Sequence, residues 1–163
     1  MSQKLKEPRT GNVTASDISK IDERIRWALQ AAAEKKAIDL TVLDLRGIAS
    51  FTDFFVIATG ANKRQVQAIS DEVVEQLKRR GTRSARVEGY QTAEWILIDY
   101  GDFIVHVFDE KARRFYDLER LWRDARRVDI LAQLLESGIS NLKSESSNRK
   151  SEISNLKSEI SDL

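Results

Sequence analysis

The sequence predicts an α/β domain in which helices flank a mixed β-sheet. Three observations carry this prediction. Apolar residues recur at helical spacing on either side of a continuous apolar run, Phe54 to Thr59. Gly60 closes that run, and a second amphipathic segment follows it, which allows a crossover. Further on, two apolar runs are joined by Asp99-Tyr100-Gly101-Asp102, a glycine-containing link that signals an antiparallel hairpin.

The elements follow in order. Residues 1–16 are polar, contain the one proline, Pro8, and read as a disordered arm. A helix is expected from an N-cap at Ser16 or Asp17, with Ile18, Ile21, Ile25, Ala28, Leu29 and Ala32 on its apolar face. It should fade near Lys35 and Lys36, where basic side chains suit the negative end of the helix dipole. Thr41 to Arg46 reads as a strand, and Phe54 to Thr59 as a second one buried on both faces. A second helix is expected over Lys63–Arg80, with Val66, Ile69, Val73, Val74 and Leu77 as its stripe and Gly81 as its stop. A short strand near Arg83 to Glu88 precedes the hairpin strands Trp95–Ile98 and Phe103–Phe108. In the last of these, Ile104, His106 and Phe108 share one face, and Val105 and Val107 the other. Asp109 to Lys111 ends this strand, and a final helix begins near Asp117. The α/β domain thus occupies residues 17–128.

The tail, residues 129–163, is a heptad repeat: ISNLKSE, SSNRKSE, ISNLKSE, ISDL from Ile139. Ile139, Ser146, Ile153 and Ile160 fall at position a, and Leu142, Arg149, Leu156 and Leu163 at d. Lysines 143, 150 and 157 occupy e, and glutamates 145, 152 and 159 occupy g. Isoleucine at a with leucine at d favours two parallel strands, and Glu at g attracts Lys at e of a second copy. The same register runs back through Leu135, Val128 and Leu121, so the last domain helix would feed the repeat in phase. Against this stand the abundant serine, the broken second heptad, and Gly138, at a cost of roughly 0.5–1 kcal/mol relative to alanine. A dimeric coiled coil, a lone helix and a disordered tail all remain open readings.

Composition narrows the function classes. The 163 residues include 27 basic and 26 acidic side chains, a net charge of +1, so the whole-chain field does not drive binding to nucleic acid or anionic lipid. There is no cysteine, which rules out disulfides, thiolate metal sites and cysteine catalysis, and suits a reducing cytoplasm. No apolar run approaches the roughly 20 residues that span a bilayer, and the N-terminus lacks the apolar core of a secretory signal. A soluble cytoplasmic protein is expected.

Catalytic chemistry finds little footing. His106 is the one histidine and lies in an apolar strand, with no serine nucleophile and orienting acid at a recognisable spacing. It reads as a core or edge histidine with one hydrogen bond. Asp44, Asp53, Asp99 and Asp102 sit at strand ends or turns, and nothing in their spacing gathers them around a divalent cation. Gly60-Ala61-Asn62-Lys63-Arg64 leads into a helix but lacks a second glycine and a Lys-Ser/Thr ending, so it reads as a turn. Arg113, Arg114, Arg120, Arg123, Arg126 and Arg127 are interspersed with acids and read as an ion-paired helix face. No catalytic, cofactor or metal residue is assigned. The surface left over is the hairpin: Trp95 and Tyr100 with Asp99 and Asp102 form an aromatic and acidic anchor suited to a basic protein, although Trp95 reads equally well as core.

The span from about Ile25 to Trp122 resembles the ribosomal silencing factor family, also called iojap-like. The resemblance rests on Thr52-Asp53-Phe54-Phe55-Val56-Ile57-Ala58-Thr59-Gly60, Arg64 to Ile69, and Val87-Glu88-Gly89. It continues in Trp95 to Asp102, Val105-His106-Val107-Phe108, and Arg114 to Trp122. It implies a nucleotidyltransferase-like fold without the catalytic acids, and a non-enzymatic translational repressor. Such a factor binds a large-subunit ribosomal protein at the intersubunit face and blocks joining of the small subunit under nutrient limitation. It also implies that Trp95, Asp99, Tyr100 and Asp102 bind the partner, with the acids meeting basic side chains; a minor contact with ribosomal RNA is the secondary reading of the arginine cluster itself. Homodimerisation would fall to the heptads. One departure is the loop after Gly60, where the family often has Thr-Ser or Ser-Ser and this chain has Ala61-Asn62. The alternatives are a metal-dependent nucleotidyltransferase and a large-subunit assembly factor.

Overall fold

The computed structural model describes residues 23–130. The arm at 1–16, the helix start at Ser16 or Asp17 and the heptads from Ile139 lie outside the described residues.

Helix α1, Glu23–Glu34, buries Ile25, Ala28, Leu29, Ala31 and Ala32. It ends where the sequence changes to Lys35-Lys36. The Lys36 N–H bonds to the Ala33 carbonyl at 2.9 Å and the Ala37 N–H to that of Ala32 at 3.0 Å, around a left-handed Lys36 (φ 58°). This paired closure satisfies carbonyls that the helix end would leave bare. Strand β1, Ile38–Asp44, starts and ends earlier than expected, and it ends because the chain turns at Leu45, whose carbonyl accepts from the Ile48 N–H at 3.0 Å. Strand β2, Phe54–Gly60, is buried along its whole length, as its continuous apolar run requires.

Helix α2, Lys63–Arg79, is capped by Asn62, whose side-chain oxygen accepts from the Gln65 N–H at 2.8 Å. Gln65 in turn donates to the carbonyls of Lys35 and Lys36 at 3.1 and 3.0 Å, tying the start of α2 to the end of α1. Gly60 lets strand and helix meet this tightly, since a Cβ there would lie 2.9 Å from both Cγ2 and the backbone nitrogen of Val66.

Strands β3 (Arg86–Glu88), β4 (Trp95–Asp99) and β5 (Phe103–Asp109) follow. β4 and β5 form the expected antiparallel hairpin, with Trp95 opposite Phe108 and Asp99 opposite Ile104. β5 lies parallel to β2, and β1 runs antiparallel to β2. The mixed sheet has six strands in the order β3-β4-β5-β2-β1-β6, where β6 is Arg126–Arg127 beside Leu43 and Asp44.

The end of the domain corrects the sequence reading. In place of one helix from Asp117 there are two short ones, α3 (Glu110–Tyr116) and α4 (Leu118–Leu121). Asp109 is an N-cap, its carboxylate accepting from the Ala112 N–H at 2.7 Å, and Asp117 breaks the helix in a left-handed conformation (φ 45°). The expected in-phase helix from Leu121 to Val128 does not form either, because β6 pairs with β1 between them, and its continuation into the heptads lies outside the described residues. The third strand is also shorter than Arg83 to Glu88, covering only its last three residues.

The two sheet faces differ in cover. α1 and α2 pack over one, where Ile25, Leu29, Val66, Ile69, Val73 and Leu77 meet Val56, Ile98, Val105 and Val107. The other face carries Leu43, Phe55, Ile57, Ile104 and Phe108; among the described residues it is covered by Leu45, Ala112, Leu118 and Ala125 with partly buried Ala49, Trp95, Leu97 and Trp122.

Candidate functional site: an aromatic sheet face

This second face is built by strand alternation. Trp95, Leu97 and Asp99 on β4 lie opposite Phe108, His106 and Ile104 on β5. Half-buried Trp95 packs against Phe108 at 5.0 Å, Tyr116 at 4.6 Å and His106 at 5.8 Å between ring centroids. The rings continue through His106 to Phe55 at 4.4 Å, from Phe55 to Trp122 at 5.9 Å, and from Trp122 to Phe51 at 5.9 Å. At the other end Phe115 stands edge-on to Tyr116 at 5.1 Å. Several of these rings face solvent: Phe115 is 79% exposed, Phe51 57% and Tyr116 47%; Leu121, on the neighbouring α4, is 71% exposed. Clustered exposed aromatics of this kind mark interaction surfaces.

His106 lies beneath this layer, 3% exposed. Its Nδ1 accepts the Trp95 Nε1–H at 3.0 Å. The indole nitrogen can only donate, so this bond places the imidazole proton on Nε2. Nε2 has no hydrogen-bond partner among the described residues. Burial pushes the histidine pKa down to about 3, so the ring is neutral at physiological pH. The sequence reading of His106 as a core histidine with one hydrogen bond describes it correctly.

The four residues expected to bind the partner are not gathered in one place. Trp95 is part of the aromatic face. Asp99 shares that face by alternation, but four residues along the strand, about 13 Å away. Its carboxylate accepts from the Gly101 N–H at 2.8 Å and pairs with Arg86 at 3.4 Å. Tyr100 turns to the opposite face, buried and stacked on Phe103 at 4.7 Å, and burial raises its pKa to about 12. Asp102 stands at the tip of the turn, 69% exposed, and pairs with Arg24 of α1 at 2.8 Å.

Phe51, Phe115, Tyr116 and Leu121 were missed as surface residues: Phe51 lies in the connection before β2, and the other three lie in or beside the segment expected to close the domain as its final helix. Only part of it does so: Leu118 is buried and Trp122 half-buried, while Phe115 and Leu121 point outward. The signal was available in the excess of large apolar residues over what one short helix can bury.

Two arginines of the basic cluster, Arg113 and Arg126, are structural. Arg113 bridges α3 to the sheet, donating to the hydroxyls of Thr59 at 2.7 Å and Thr41 at 3.2 Å while pairing with Glu119. Burial disfavours the charged form of Asp44, but hydrogen bonds from Arg46 and the charges of Arg46 and Arg126 outweigh it and hold the pKa below the usual value. Among the described residues, no group of three or more histidines and acids is placed to hold a metal ion. An open groove of about 570 Å³ lies elsewhere, between α2 and β3, lined by Asp71, Glu75, Val74, Val87 and Tyr90. None of the described helices is long and apolar enough to cross a membrane.

Fold and site together define an α/β protein with a mixed sheet, one face sealed by helices and the other presenting aromatic side chains. The chain belongs to the ribosomal silencing factor family: residues 18–160 match the family described as "Ribosomal silencing factor during starvation". That match extends past Trp122 and takes in the heptad segment, which the motifs carrying the resemblance did not reach. The chain is 42% identical over 108 residues to "Ribosomal silencing factor RsfS" of Halalkalibacterium halodurans, covering 66% of this chain and 92% of that protein. It is 30% identical over 104 residues to the mouse "Mitochondrial assembly of ribosomal large subunit protein 1", covering 62% of this chain and 46% of the mouse protein. Among solved structures, a protein from Chromobacterium violaceum aligns with a TM-score of 0.61 at 36% identity, over 63% of this chain and 86% of that one.

Proposed function

We propose that this protein is a cytoplasmic, non-enzymatic translational repressor. It docks on a large-subunit ribosomal protein at the intersubunit face and sterically blocks joining of the small subunit. The observation that carries this reading is the run of rings from Phe115 through Trp95 to Phe51 on one sheet face, buried at His106 and Phe55 and half-buried to exposed at Phe115, Tyr116, Trp95, Trp122 and Phe51. Such a layer supplies the buried core of an interface, in which aromatic anchors contribute most of the binding energy. Trp95 is the central anchor. Asp99 and Asp102 form an acidic rim for basic side chains of the partner, and Tyr100 holds the turn from within. Arg114, Arg120 and Arg123 make secondary contacts with ribosomal RNA. The large subunit is supported by the family resemblance and by the name of the mouse relative.

The test is a joining assay with purified large and small subunits. The expected result is that saturating factor keeps them apart and that Trp95→Ala, in a folded protein, restores joining. Normal joining at saturation would refute the reading. The mouse relative's name favours a second reading, large-subunit assembly. Accumulation of immature large subunits on depletion, without any effect on joining, would select it. Dimerisation is assigned to the heptads from Ile139, and truncation after Ser137 should therefore yield a monomer.

A further inference from the structure

The buried imidazole beneath the aromatic face is a poor choice as mere filler. Phe55 and Phe108 lie beside it, and an apolar side chain would complete this layer without leaving a polar atom unmatched. The chain instead keeps a histidine that is 3% exposed, and its Nε2 finds no hydrogen-bond partner among the described residues. What the imidazole supplies is an acceptor at Nδ1, and the Trp95 indole N–H donates to it at 3.0 Å.

We propose that His106 is a positioning residue for recognition, fixing the Trp95 ring through the Nε1–H to Nδ1 bond so that the partner meets an indole of set orientation. Stacking alone does not do this. The contacts of Trp95 with Phe108 and Tyr116 are tilted, with interplanar angles of 31° and 47°, and neither defines the direction of the indole nitrogen. One directional hydrogen bond does define it. The bond also uses up the one polar donor of the indole, so the ring offers the partner an apolar surface. A basic partner protein would then place aliphatic or aromatic side chains against Trp95 and keep its charges for the acidic rim. Pre-setting the ring lowers the ordering cost of association.

This inference rests on the docking role of Trp95, and the experiment separates the two. In ¹H–¹⁵N spectra of the full chain, the Trp95 indole resonance, assigned with Trp95→Phe, should exchange slowly with solvent. In His106→Leu it should shift and exchange faster. In His106→Asn, whose Oδ1 can replace Nδ1 as acceptor, it should return towards the wild-type position. In co-sedimentation with large subunits, His106→Leu should bind about five- to tenfold more weakly, the effect of one lost hydrogen bond. His106→Asn should recover most of that loss, and His106→Leu should add nothing in a Trp95→Phe background. Fast indole exchange in the wild-type protein overturns the proposal even if His106→Leu does not fold. So does a His106→Leu effect of equal size in both backgrounds. If Trp95→Ala abolishes binding while folded His106→Leu binds normally, the positioning role alone fails. If Trp95→Ala binds normally, the docking reading fails with it.

Discussion

Arg24 of α1 and Asp102 at the hairpin tip meet at 2.8 Å, joining the first described helix to a turn 78 residues away in sequence. The Asp102 side chain is 69% exposed and that of Arg24 27% exposed, so water and salt screen the pair. Asp102→Ala should therefore change the unfolding free energy by less than about 1 kcal/mol in urea titrations. Its effect on large-subunit association should be larger than its effect on stability and should shrink as salt is raised. Equal, salt-independent effects on both would make the aspartate a structural link and nothing more.

Gly89 determines where Trp95 begins its strand. Its φ is +79°, and a Cβ there would stand 2.1 Å from the Trp95 carbonyl oxygen, a backbone atom that cannot swing away. Gly89→Ala combines left-handed strain with a direct clash, and a loss of at least about 2 kcal/mol is expected. Because the clash falls on the Trp95 backbone, the tryptophan emission of the folded fraction should shift too. Wild-type stability in Gly89→Ala would mean that the loop before β4 rearranges freely.

Much of this architecture is legible in the chain, and the failures share a cause. The all-buried β2 and the long amphipathic α2 announce themselves, because Phe54 to Gly60 and Val66 to Leu77 carry enough apolar residues to show a period. α3 does not, since one of its seven residues, Ala112, is buried and its start depends on a single carboxylate, Asp109. β6 consists of two exposed arginines, held by the β1 ladder and by the Arg126–Asp44 pair at 3.7 Å, and neither is a sequence signal. At the site, alternation predicts that His106 and Phe108 share a face, and it holds. Tyr100 was read as a surface aromatic because it occupies a turn. Its inward stacking on Phe103 is set by the turn's geometry, in which the Tyr100 N–H bonds to the Phe103 carbonyl at 3.0 Å.

Two buried groups set the acid sensitivity. The imidazole of His106 titrates near 6.5 when unfolded and near about 3 when folded. Between those values the unfolded chain binds the extra proton, so stability rises with pH. The contribution is complete above about pH 6.5 and is lost as pH falls towards 3, by up to roughly 1.4 kcal/mol per pH unit. The lowered pKa of Asp44 acts in the same direction at lower pH, its contribution vanishing as the carboxyl protonates. Urea midpoints measured from pH 8 to 4 should fall for the wild type, and His106→Leu should flatten the upper part of that slope. A flat wild-type profile would show that the buried ring takes up a proton without penalty.

The outward-facing apolar residues separate recognition from folding more cleanly than Trp95 does. Trp95 contacts three rings and bonds to His106, so its removal disturbs the layer beneath as well as the surface. Phe115 and Leu121, by contrast, are 79% and 71% exposed. Little of their apolar area is removed from water in the free protein, and their truncation should cost no more than about 0.5 kcal/mol of stability. If the aromatic face is covered by a partner, that same area is buried only in the complex. Phe115→Ala combined with Leu121→Ala should then weaken large-subunit association by about 2 kcal/mol or more, close to thirtyfold, with an unchanged melting temperature. Binding at wild-type strength by the double variant would confine the contact to Trp95 and the acidic turn, and leave these two side chains for another surface.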